Sequence, residues 1–121
     1  MDRNAINPWT WQDQFGFAQA NDLNGVKRVL VCSGQTSVDD EGNLVHAGDM
    51  AGQLNKALDN LETVLGQAGL GLSDVVRLKY YVTDTLPRLG QAGCRPATTL
   101  LGIAALFLPE LMVEIEATAA Q

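Results

Sequence analysis

Side-chain character alternates with a period of two along Val75-Val76-Arg77-Leu78-Lys79-Tyr80-Tyr81-Val82, and again along Met112-Val113-Glu114-Ile115-Glu116-Ala117-Thr118. Successive side chains of an extended chain point to opposite faces. Val76, Leu78, Tyr80 and Val82 therefore share one face of the first strand, against Arg77, Lys79 and Tyr81 on the other. In the second strand Val113, Ile115 and Ala117 oppose Met112, Glu114, Glu116 and Thr118. A sheet built on these strands is apolar on one side, and that side must be covered. The cover is encoded upstream, where Met50, Leu54, Ala57, Leu58, Leu61, Val64, Leu65 and Ala68 recur at three- and four-residue intervals. Asp49 suits the N-cap of that helix, and Gly66, Gly69 and Gly71 end it near Ala68. Lys56, Asp59, Asn60 and Glu62 lie off the apolar stripe and are expected in solvent. The β-helix-β order implies a right-handed crossover.

The rest of the chain reads mainly as β-structure. Residues 15 to 20 form an expected first strand leading through Asn21-Asp22-Leu23-Asn24-Gly25, whose Asn-Gly pair suits a hairpin turn. Arg28-Val29-Leu30-Val31-Cys32-Ser33 is β-branched and almost wholly apolar, the pattern of a central buried strand. A polar turn at Asp39-Asp40-Glu41-Gly42-Asn43 precedes a short strand Leu44-Val45-His46, so the first third is expected to be a β-meander. Between Val82 and Thr98 stand Asp84, Pro87, Gly90, Gly93 and Pro96, leaving little room for a second crossover helix. Strands over 98 to 104 and 112 to 119 close the sheet.

A chain of 121 residues is long enough for one domain, and 1–121 is taken as a single unit. The net charge of −6 and the absence of any Lys/Arg run weigh against a nucleic-acid backbone as partner. The N-terminus lacks the continuous apolar core of a signal peptide and no later run reaches membrane-spanning length, so a cytoplasmic location with no membrane partner is expected. Cys32 and Cys94 lack the spacing of a redox or zinc motif and are expected as free thiols. His46 is the single histidine, which leaves no basis for a His-rich metal site. Carboxylates, hydroxyls and backbone dipoles remain for chemistry, with no metal and no cofactor expected. Trp9 and Trp11 are expected to pack an N-terminal arm onto the sheet, since a base-stacking platform would need an accompanying basic groove.

Several segments together resemble the Rid family, also called YjgF or L-PSP. Phe15-Gly16-Phe17-Ala18-Gln19-Ala20 is similar to that family's first-strand G-P-Y-x-Q-[GA], and Ser33-Gly34-Gln35 to its [ST]-G-Q. Pro96-Ala97-Thr98-Thr99 stands where its deaminating members read P-A-R-[ST], and Val113-Glu114-Ile115-Glu116-Ala117 matches its C-terminal strand. The resemblance implies an α+β fold, a mixed six-stranded sheet packed by two helices of the chorismate-mutase-like or YjgF type. It also implies a homotrimer with a small-molecule ligand in each of three interface clefts. Relative to the family, a dozen or more residues of the second helix are lacking near Asp84-Thr85, by natural deletion or, as the favoured reading, by an omitted segment.

The same resemblance assigns Glu114 as the carboxylate that positions water for attack on an imine carbon. Phe17, Ser33, Gly34, Thr98 and Leu100 fall at its substrate-binding positions. Each substitution has a physical consequence. Thr98 replaces the arginine that grips a substrate carboxylate, and a hydroxyl offers one neutral donor where guanidinium offers a charged fork. Arg95 is the nearest cation, but an offset of three along a strand spans roughly ten ångströms and reverses the face. Phe17 keeps a ring and loses a hydroxyl, and Leu100 makes the pocket more apolar. Glu116 is expected to have a structural role. The leading expectation is a hydrolase or deaminase of small reactive enamines or imines, resembling the 2-iminobutanoate/2-iminopropanoate deaminases with altered selectivity. The alternative is a non-catalytic trimer binding a small metabolite, and an endoribonuclease comes third.

Overall fold

The computed structural model of this chain describes residues 1–83 and 97–121. Its centre is a sheet whose two longest strands are the two alternating segments recognised above. Strand β5 (Val75–Val82) and strand β7 (Val113–Ala120) pair antiparallel, with Leu78 opposite Ala117, Tyr80 opposite Ile115 and Val82 opposite Val113. Those residues form the apolar face, and all are buried. Against them lies helix α1 (Met50–Gln67), which buries Leu54, Ala57, Leu61 and Leu65. Leu61, Leu65, Leu78 and Ile115 are each 0% exposed. Burying such a side chain is worth roughly 1.5–3 kcal/mol. The Asp49 side chain accepts from the Gly52 amide at 3.0 Å, the expected N-cap. Gly69 follows the helix with φ of 72°, conformational space that glycine enters without a Cβ clash.

Among the described residues, five strands make this sheet. Strand β3 (Val29–Val31) and strand β4 (Gln35–Thr36) both pair antiparallel with β7, and strand β6 (Ala97–Gly102) pairs parallel with β5. Strand β1 (Asp2–Ile6) and strand β2 (Ala20–Asn24) form a separate two-stranded antiparallel sheet. The mixed sheet of an α+β fold is thus present, divided five and two. The place of a second helix and the connection near Asp84-Thr85 lie outside the described residues.

Several local expectations need correction. The first strand is not residues 15 to 20: a 3₁₀ turn occupies Trp11–Phe15, and the strand runs Ala20–Asn24 against an N-terminal partner that sequence pattern had not marked. The Asn24-Gly25 turn exists, with Gly25 at φ 69°, but it passes the chain from one sheet to the other. No meander forms, because β3 and β4 share β7 as partner and do not pair with each other. The apolar run around Val29 is an edge strand rather than a central one, with Val29 57% and Val31 76% exposed. Asn60 is half-buried, donating through Nδ2 to the carbonyls of Thr36 and Val38, each at 2.9 Å. Gln53, off the predicted stripe, is wholly buried and donates to the His46 and Glu110 carbonyls while accepting from the Met112 amide. It ties α1 to the entry of β7. Trp9 and Trp11 stay more than half exposed, and Trp11 meets Phe17 edge-on.

Candidate functional site

The face of the sheet away from α1 carries the chemistry. Strand register places Tyr81 opposite Glu114, Lys79 opposite Glu116 and Arg77 opposite Thr118, all on this face. Strand β6 adds Thr99 beside Lys79 and Leu101 beside Tyr81. The two glutamates then diverge in environment. Glu116 lies 3.5 Å from the Lys79 ammonium and accepts from the Tyr81 hydroxyl at 3.5 Å. Both members of the ion pair are over a third exposed, so it holds geometry more than it stabilises the fold. Glu114 is half-buried, and its carboxylate has no hydrogen-bond or ion-pair partner among the described residues.

Glu114 is positioned from β4. Thr36 lies opposite it in register, and the buried Thr36 hydroxyl donates to the Val113 carbonyl at 2.9 Å. The Glu114 carboxylate lies over the Cα of Gly34, where any Cβ would collide with its Oε1. Glycine at 34 is a requirement of close approach. Two predicted site residues, Gly34 and Glu114, are therefore brought together, with exposed Ser33 next along the chain.

Thr98 and Leu100 are placed differently. They pair with Leu78 and Tyr80, and so belong to the face that α1 covers, whereas Thr99 accepts from Arg77 Nη2 at 2.9 Å on the opposite face. Within one chain the sheet separates Thr98 and Leu100 from Glu114. Phe17 is half-buried, its ring centroid 5.8 Å from that of Trp11 at an interplanar angle of 67°. Arg95 and Cys94 lie outside the described residues.

Two further titratable groups, Cys32 and Asp39, have structural roles. Cys32 is a free, buried thiol, and burial pushes its pKa up, which removes it as a nucleophile at neutral pH. Asp39 is held below the usual carboxylate range by amide hydrogen bonds, that of Asn43 first, and shapes a turn. Among the described residues no cluster of three His, Cys, Asp or Glu side chains could hold a metal ion. No helix among them is long and apolar enough to cross a membrane. What sequence inspection missed is a cleft of about 370 Å³ between the β1–β2 hairpin and the sheet, lined by Gln19, Asn21, Leu23, Val76, Arg77 and Thr118 among others. Alternation had marked Arg77 only as polar, since the packing of a distant hairpin over it leaves no local signal.

The fold has counterparts among solved structures. The chain superposes on a Yersinia pestis protein of the conserved Rid family, YyfB, with a TM-score of 0.88, 36% identity and complete coverage of both chains. A member of the YjgF/YER057c/UK114 family from Mycobacterium tuberculosis matches at TM-score 0.65 and 32% identity, covering 99% of this chain and 100% of that one. The YjgF gene product of E. coli matches at TM-score 0.68 and 26% identity, over 87% of each chain. A RutC family protein of Pyrococcus abyssi is 30% identical over 59 residues, 49% of this chain, which spans about half the length of that relative (46%). The family model described as Endoribonuclease L-PSP matches residues 16–121. The chain belongs to this L-PSP family, the Rid or YjgF proteins.

Proposed function

We propose that this protein hydrolyses small reactive imines or enamines, with Glu114 orienting the water. The observation that carries the reading is the contrast between the two glutamates: Glu116 is engaged by Lys79 and Tyr81, while Glu114 stands unpartnered over Gly34. A carboxylate so held can accept a proton from a water molecule as its oxygen attacks the electrophilic carbon of C=N. That proton goes to nitrogen to give the tetrahedral carbinolamine; its hydroxyl proton then passes by way of the same carboxylate to the amine as the C–N bond breaks, and ammonia leaves with the carbonyl product behind.

Because Thr98 and Leu100 are separated from Glu114 by the sheet, a cleft using all three draws them from two subunits. A homotrimer with interface clefts satisfies that requirement, and the exposed Val29, Val31 and Leu101 supply apolar surface for its contacts. Thr98 cannot supply a charged grip on a substrate carboxylate, and the partly exposed Leu100 favours an uncharged substrate. The same two residues favour, as the second reading, a cleft that binds a small metabolite without turning it over. Freshly generated neutral imines and 2-imino acids, offered to wild type and Glu114→Gln, separate the readings. Turnover of the neutral imines with a loss of about 10²-fold or more in the variant is expected. Binding without turnover on every substrate would establish the metabolite-binding reading in its place.

A further inference from the structure

The cleft beneath the N-terminal hairpin has a construction independent of Glu114. Between Val75 and Arg77 the pairing of β5 with β7 shifts register, leaving Val76 as a bulge. A bulge frees a carbonyl from the ladder and re-aims its neighbours. Here the Val76 carbonyl accepts from Asn21 Nδ2 at 2.9 Å, and Arg3 Nη1 donates to the Ser73 carbonyl at 3.0 Å, so the hairpin is docked on the start of β5. The next residue, Arg77, faces the cleft left between the two sheets.

Three properties of this cleft define an occupant. First, among the described residues its charge is uncompensated: Arg77 has no carboxylate partner there and no described lining residue is acidic, in a chain of net charge −6. Only Nη2 is committed, to the Thr99 hydroxyl, which steadies the guanidinium plane while leaving most of its five N–H groups for a second acceptor. Second, Gln19 Nε2 is buried with no hydrogen-bond partner. Rotation about the broad terminal torsion of glutamine can turn this donor to a ligand oxygen without breaking an existing bond. Third, Ala20, Leu23, Val76 and Ala97 give the wall apolar surface beside the polar Asn21 and Thr118. A volume near 370 Å³ is at the low end for small-molecule sites.

We infer that this cleft binds a short aliphatic monocarboxylate, its carboxylate held by Arg77 and Gln19 and its chain laid against Leu23, Val76 and Ala97. A guanidinium fork matches a planar carboxylate in two parallel charged hydrogen bonds, and the apolar wall disfavours a fully hydrated inorganic anion. Thr118 at the cleft is four residues along β7 from Glu114, roughly 13 Å at strand spacing. The site is therefore separate from the water-positioning carboxylate.

Isothermal titration calorimetry with butyrate, its neutral isostere butyramide, and inorganic phosphate tests the assignment. Saturable butyrate binding is expected, with no butyramide binding and no displacement by equimolar phosphate. Arg77→Gln should weaken butyrate at least about tenfold, the loss of one charged hydrogen bond or more. Gln19→Leu should weaken it too, with an unfolding midpoint unchanged or raised, because an unpartnered buried donor is removed. Glu114→Gln should retain butyrate affinity whatever it does to imine hydrolysis, so the two proposals fail separately. Absence of saturable binding, equal binding of butyramide, displacement by phosphate, unchanged affinity in Arg77→Gln, or loss of affinity in Glu114→Gln would each overturn the assignment.

Discussion

At the scale of single residues, Gly34 shows how a site can depend on an absent atom. The atom displaced by a new Cβ would be the end of the flexible Glu114 side chain, so Gly34→Ala should fold with stability within about 0.5 kcal/mol of wild type. The proposed imine turnover should nonetheless fall as the carboxylate is pushed from its place. Chemical denaturation beside initial rates checks both halves, and an active Gly34→Ala would remove the positioning argument. Gln53 makes the opposite case: its single amide satisfies two carbonyls and one backbone N–H in the core. Gln53→Leu strands those groups and should cost about 2–4 kcal/mol, read from urea midpoints. Cys32 links burial to pH. Its folded pKa lies above the ordinary value of 9.0, so the thiol form stabilises the fold below that value. Part of the stability is then lost as pH rises through the raised folded value. Relative to Cys32→Val, wild type should lose stability between pH 8 and the alkaline side of about pH 9; parallel curves for the two proteins would refute the linkage.

At the scale of elements, β7 organises the molecule because four strands depend on it directly or through β5. Its buried face meets α1, and its other face presents the two glutamates. Helix α1 is secured by the Asp49 cap, and Asp49→Ala should lower stability by about 1 kcal/mol with the fold retained, measurable by thermal melting. The alternation of β5 and β7 and the period of α1 were legible because each element buries one face within its own chain. The run around Val29 was not, since its composition is that of a core strand while its position is an edge. Val29 and Val31 share the face of Ala120 and Thr118, away from the helix. Asn60 was misjudged for a related reason: its contacts are carbonyls of the β4 region, 22 and 24 residues away in sequence.

For the whole molecule, an edge strand with exposed valines and a sheet face on which Leu101 and Glu114 flank Tyr81 supply the surface on which the proposed trimer would close. On the proposed function, Val31→Lys should yield monomers in place of the proposed trimer and abolish the proposed imine turnover, as followed by light scattering after size exclusion beside initial rates. A variant that remains trimeric and active would place the interface elsewhere. Family, α+β class and the one-sided sheet with its covering helix were legible in the order of residues, which also marked Glu114 as a candidate carboxylate, because periodicity and short motifs are local properties. Strand register and packing were needed to bring Gly34 under Glu114 and to set Thr98 and Leu100 on the other face. They also separated the engaged Glu116 from the free Glu114, and placed Arg77 with Gln19 in a cleft. Those relations join residues far apart in the chain through strand register and hairpin docking, and neither leaves a mark on the local order of amino acids.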